Sequence, residues 1–153
     1  MSDVKWVIGI DPGKSGGIAV YSVKTKKVYA FNMPQTPEDM VELFNKYNNN
    51  AYCYMEKIHG MPGMGGVSMF TFGKQYGWLE MCLVLTEIPV EAVTPQKWMK
   101  ELQLGTKKGK SGTEWKNKLK FRAQQLFPGQ KITLKKSDAL LILQYGLKQL
   151  KIR

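Results

Sequence analysis

Asp11, Glu56 and Asp138 are the acids whose settings in this sequence could carry chemistry. Asp11 lies in the stretch 4–21, VKWVIGIDPGKSGGIAVY, where Val7, Ile8 and Ile10 fit a strand buried on both faces and Asp11-Pro12-Gly13 forces a tight turn. A carboxylate is thereby left at the mouth of a core strand. Glu56 ends a second strand-like stretch, AYCYME (51–56), and Asp138 stands at the expected start of the last helix. Each acid alone has an ordinary explanation, as a turn-former, a solvated strand end or a complement to a helix dipole. Brought together, three carboxylates would repel one another unless cations sat between them. Magnesium or manganese, hard ions that prefer carboxylate oxygens and water, would resolve that conflict. Two such ions about 4 Å apart can activate a water and stabilise the leaving oxygen of an in-line phosphoryl displacement. The chemistry expected of the trio is therefore hydrolysis of a phosphodiester.

The elements that must position these acids follow from the pattern of the chain. Gly16 and Gly17 turn the first strand back into a second, and residues 26–32 read as a third, with Val28, Ala30 and Asn32 on one face and Tyr29 and Phe31 on the other. Thr36 and Pro37 open a helix whose apolar stripe is Met40, Val41, Phe44 and Tyr47, ended by three asparagines. Strand 51–56 follows, then a loop over 57–68 with four glycines and one proline. A long helix over 69–86 carries Gly73 and Gly77, a spacing that admits a second backbone on that side. A short strand over 88–93 leads into a helix capped by Thr94 and ending near Leu104. A basic loop over 105–112, a Thr113-capped helix to Leu126 and a Ser137-capped final helix complete the chain. The last helix bears Leu140, Leu143, Leu147 and Leu150 at spacings of three and four. This order predicts one α/β domain spanning 1–153, with a mixed five-stranded sheet in the order 3-2-1-4-5 flanked by helices. Asp11 and Glu56 would then stand side by side at the carboxyl ends of neighbouring strands, the edge where open α/β sheets bind ligands.

Composition narrows the partner. Of 153 residues 43% are apolar, enough for a single core, and the net charge is +11. Residues 1–96 hold eight Lys/Arg against nine Asp/Glu, whereas residues 97–153 hold fifteen against three, a net of +12. Excess confined to the last third, among apolar residues of a folded domain, suggests a polyanion, with nucleic acid favoured over an acidic membrane surface. The two cysteines, Cys53 and Cys82, lack any pairing or metal spacing and fit a reducing intracellular compartment. No signal peptide or membrane-spanning run is expected. Two stretches, GIDPGKS and GTKKGKS, imitate a phosphate-binding loop but have three residues between their glycines where the motif needs four, so no nucleotide cofactor is expected.

Four segments, IGIDPG, YMEK, FGKQYGWLEMCLVLTEIPVEAVTPQKWMK and SDALLILQYG, together resemble RuvC-type Holliday-junction resolvases in order and spacing. The resemblance spans nearly the whole chain. It implies a ribonuclease-H-like fold, a homodimer, magnesium or manganese, and nicking of opposed strands at four-way DNA junctions. It also implies that Asp11, Glu56 and Asp138 are metal ligands. The sequence departs from that pattern at Lys135, where the family usually supplies another Asp or a His; a lysine there could contact the scissile phosphate or the charge of the transition state. Lys107, Lys108 and Lys110, in their glycine-flanked loop, rank first among candidate DNA contacts. Lys116, Lys118, Lys120 and Arg122 extend that track, with solubility alone the competing explanation. Lys57, His59 and Met61 would lie beside the metals, Lys14 and Lys74 complete the basic candidates, and Phe70 or Phe72 could wedge against bases or pack in a core or dimer. Glu80, the chief competing acid, is expected to face solvent or a subunit partner. Two alternatives stay open: a broader nuclease of the same fold acting on branched DNA or RNA–DNA hybrids, and a catalytically silent junction-binding protein.

Overall fold

The structure, a computed structural model, describes residues 3–58 and 63–153. Five strands, β1 (Trp6–Asp11), β2 (Gly17–Ser22), β3 (Val28–Asn32), β4 (Ala51–Glu56) and β5 (Val90–Val93), form one sheet in the order β3-β2-β1-β4-β5. β1 runs antiparallel to β2 and parallel to β4, β2 is antiparallel to β3, and β4 is parallel to β5. The expected topology is the one found.

Two-residue alternation divides the sheet into two apolar faces. Ile8, Ile10, Ile18, Val20, Cys53 and Met55 point to one side, where α1 (Pro37–Lys46) and α2 (Gly66–Leu85) cover them with Met40, Phe44, Leu79 and Leu83. Val7, Ala19, Tyr21, Tyr54 and Val93 point to the other, beneath α3 (Pro95–Glu101), α4 (Gly112–Leu126) and α5 (Leu134–Gln149). The same alternation puts Asp11 and Glu56 on the face that α3, α4 and α5 cover. In β3, Val28 and Ala30 pack on that second face and Phe31 on the first, as the alternation requires.

The helix α5 is the central support. Its residues Ala139, Leu140, Leu141, Ile142 and Leu143 are all fully buried, a run that only a helix packed on several sides can sustain. It lies directly on β1 and β2 because glycines leave room for its backbone: a Cβ at Gly9 would come 2.5 Å from both the Ala139 carbonyl oxygen and the Leu143 nitrogen, and one at Gly17 2.7 Å from the Lys135 carbonyl oxygen.

Several expected boundaries move. Helix α2 begins at Gly66, so part of the expected glycine-rich loop is helical. The cap of α4 is Ser111, whose hydroxyl accepts from the Glu114 amide at 3.1 Å; Thr113 is already inside the helix. Ser137 is not the cap of α5 either. That helix starts a turn earlier, after Thr133, and the buried Ser137 hydroxyl donates to the Leu134 carbonyl at 3.1 Å. Gly73 and Gly77 receive no backbone from the described residues; nothing lies within 4 Å of a Cβ placed on either. The caps Thr36 and Thr94 are as expected, each accepting from the amide three residues on. Cys53 and Cys82 are buried free thiols. Among the described residues no helix is long and apolar enough to cross a membrane.

Candidate active site

Register brings the first two acids together. Ile10 pairs with Met55 in the parallel β1–β4 ladder, so the next residues, Asp11 and Glu56, emerge level with each other at the strands' carboxyl ends. Asp138 reaches the same edge from above, one residue before Ala139, whose carbonyl rests on Gly9 of β1. Because α5 begins at Leu134, Asp138 sits in the second turn of the helix instead of at its cap, packed against the sheet.

The electrostatics report that convergence. Burial raises the Asp11 carboxyl well above its ordinary value, and the negative charges of Asp138 and Glu56 push it further in the same direction. Glu56 is raised to about 7, first by burial; a hydrogen bond from Trp98 pulls it down and Asp138 pushes it up. Asp138 is raised to about 6 by burial, opposed by the ammonium of Lys116. Each acid thus sits where its charged form is disfavoured and where an added cation would relieve the strain.

A cavity of about 270 Å³ opens at this edge, lined by Asp11, Ser15, Lys116, Leu134, Lys135, Ser137 and Asp138. Two lysines therefore flank two of the three acids. Lys116, which the sequence places on the basic track extending from the 105–112 loop, lines this cavity beside Asp11 and Asp138. Lys135 lines the same cavity, as its position three residues before Asp138 suggested.

The donor set suits a hard divalent ion: three oxygen-bearing side chains, partly buried, with raised proton affinities. It is not closed, however. Among the described residues no three His, Cys, Asp or Glu side chains are grouped closely enough to hold a metal ion as they stand. One acid is also tied elsewhere: Glu56 Oε2 accepts a 2.9 Å hydrogen bond from Trp98 Nε1. Trp98 was overlooked in the sequence, although a tryptophan in the first turns of a helix that leaves the strand next to β4 was the available signal.

Lys107, Lys108 and Lys110 are exposed in the loop before α4, and the Lys110 amide donates to the Lys107 carbonyl at 3.0 Å, shaping a turn. Lys118, also exposed, holds its ammonium over the Trp115 ring at 5.6 Å from the centroid. Lys14 is exposed in the turn after Asp11, and Lys57 is exposed directly after Glu56, its amide bound to the Val93 carbonyl at 2.7 Å. Lys74 lies apart on α2, over the rings of Phe70 and Trp78. Phe72 is partly buried against the turn at Gly13, whereas Phe70 is 70% exposed and Glu80 faces outward. His59 and Met61 lie outside the described residues.

The sequence matches no protein-family model and no curated protein. Solved structures do match. RuvC of T. thermophilus in complex with a Holliday junction substrate superposes with a TM-score of 0.66 at 16% identity, over 95% of each chain. A second Thermus thermophilus RuvC structure gives 0.61 at 17% identity, over 96% of this chain and 97% of that one. The yeast mitochondrial Holliday junction resolvase Ydc2 gives 0.50 at 16% identity, over 97% of this chain and 81% of that one. The fold is the RuvC-like form of the ribonuclease-H-like architecture, found over essentially the whole chain.

Proposed function

We propose that this chain is a divalent-metal-dependent endodeoxyribonuclease that resolves four-way DNA junctions by paired phosphodiester hydrolysis, acting as a homodimer. The observation that carries this reading is the meeting of Asp11, Glu56 and Asp138 at one sheet edge, with proton affinities raised by burial and mutual repulsion. The fold shared with a RuvC bound to a Holliday junction supports the choice of substrate.

Asp11, Glu56 and Asp138 would hold magnesium or manganese, two ions per site, which when bound supply an activated water and neutralise the charge on the phosphate. Lys116 and Lys135, which line the cavity, would meet the phosphate's oxygens and stabilise the negative charge that grows during displacement. The exposed lysines 107, 108 and 110, with Lys118 on the adjoining helix, supply shape-tolerant contacts to the DNA arms.

Paired incisions need two sites, and α2 offers the surface to join them. It is largely apolar on both sides: Leu79 and Leu83 face the core, while Phe70, Met81 and Val84 are 70%, 57% and 69% exposed on the opposite side, with Lys74 and Glu80 the charged residues among them. Gly73 and Gly77 lie on that outer side, where a second copy's helix could approach closely.

The competing reading, a silent junction-binding protein, draws on one observation: the acids do not form a closed ligand group as they stand. Incubating the protein with four-way junction, fork and duplex DNA, with and without magnesium or manganese, separates the possibilities. Symmetric cuts confined to the junction support the proposal. Cutting of all branched forms, or of RNA–DNA hybrids, points to the broader nuclease, and a shifted but uncut junction in either metal defeats catalysis altogether.

A further inference from the structure

Trp98 is fully buried in the core beneath α3, yet its polar atom does not bond the backbone around it. The route to the acid is short. Glu56 pairs with Val93 across the β4–β5 ladder, Thr94 caps α3, and Trp98 falls on the inward side of the first turns. The Lys57 amide, bound to the Val93 carbonyl at 2.7 Å, locks the end of β4 to the end of β5, so helix and acid share one rigid base. From there the indole Nε1 donates to Glu56 Oε2 at 2.9 Å, across 42 residues of sequence.

We infer that Trp98 is a positioning residue for Glu56: its indole N–H fixes the carboxylate's orientation at the strand end, occupying one oxygen and leaving the other to the cation and substrate. The inference rests on the nuclease reading above and deepens it. Three features set this contact apart from ordinary core packing. The donor is rigid, because a buried tryptophan has few alternative rotamers in a close-packed interior. It is neutral, so it orients the carboxylate without neutralising it, and the charge stays available to a metal. It is also the part of the side chain that packing alone does not require, since a phenylalanine would fill much of the same space without an N–H. Groups that orient a metal's carboxylate ligands through such outer hydrogen bonds commonly influence metal affinity or activity 10- to 100-fold.

Trp98→Phe removes the donor and keeps an aromatic ring in the core. The expected result is a fall in kcat on four-way junctions of about 10- to 100-fold. Junction affinity measured in EDTA should stay within about twofold and KM should be little changed. Direct manganese binding, read by calorimetry without DNA, should weaken by a similar 10- to 100-fold. A variant that keeps both kcat and manganese affinity within about twofold of the parent overturns the inference.

Should Trp98→Phe fail to fold, the parent protein still decides. The Trp98 indole ¹H–¹⁵N resonance should move when magnesium is added and should move again in Glu56→Gln; no movement in either case overturns the inference. Parent protein that cuts no branched DNA defeats the nuclease reading by itself, while the resonance and the manganese titration continue to judge the contact. Parent protein that cuts normally beside an equally active Trp98→Phe defeats the positioning role alone.

Discussion

Gly9 and Ala139 meet backbone to backbone: a Cβ on Gly9 would lie 2.5 Å from the Ala139 carbonyl oxygen. That contact joins the central strand to the buried helix two residues from Asp11 and one residue from Asp138. It is the point through which packing of the core sets the distance between two acids that lie far apart in sequence.

Gly9→Ala should therefore damage both stability and the site. The neighbouring atoms are backbone and cannot rotate away, so α5 must lift from β1. Overpacking of this kind costs about 1–3 kcal/mol or more, seen as a lowered Tm, and DNA cleavage should fall further than the residual folded fraction accounts for.

Stability should depend on pH in a direction set by the acids. Glu56 rises from 4.5 to about 7 and Asp138 from 3.8 to about 6 on folding. The folded chain therefore retains protons that the unfolded chain releases, and the slope of unfolding free energy against pH is negative across that interval. Without metal, the stabilisation associated with these protons is present below about pH 4 and is lost as pH rises through 6 and 7, on the order of 2–3 kcal/mol per carboxylate. Thermal melts without metal, set against those of Asp138→Asn and Glu56→Gln, will show a smaller decline for each variant across this window. Magnesium added at pH 8 should raise the parent's Tm more than that of either variant.

Neutralising Lys107, Lys108 and Lys110 together should weaken junction binding at low salt. It should also flatten the plot of log affinity against log salt by up to about 2.7, if all three meet phosphates. Binding assays from 50 to 200 mM salt check this, and an unchanged slope would remove the loop from the DNA surface.

Introducing a charge on the outer side of α2, as in Val84→Asp, should yield a monomer in sedimentation experiments while the Tm of the folded unit stays nearly unchanged, because Val84 is 69% exposed within the chain. Junction nicks should then lose their pairing. A parent chain that sediments as a monomer would contradict the proposed homodimer outright.

Much of this fold was legible from local pattern. Strand β4 has the bounds its sequence suggested, the caps Thr36 and Thr94 are used, and the strand order follows from a hairpin followed by right-handed crossovers. The misses are at helix starts. The expected cap Thr113 gives way to Ser111, two positions upstream, which makes the capping bond, and α5 starts after Thr133, whose side chain makes no such bond, with the helix held by its packing on the sheet. For Ser137 the error mattered, since it changed Asp138 from a helix-end charge into an acid pressed against the sheet.

The amino-acid sequence by itself determined which acids end the two central strands and where the positive charge is concentrated. These are properties of neighbours along the chain, so periodicity and composition carry them. Only the tertiary structure decided that Lys116 stands at the carboxylates, that Trp98 holds Glu56, and that the three acids share an edge while remaining apart as metal ligands. Those relations depend on how α3, α4 and α5 settle on the sheet. That is a matter of close packing between segments many residues apart, which no local pattern encodes.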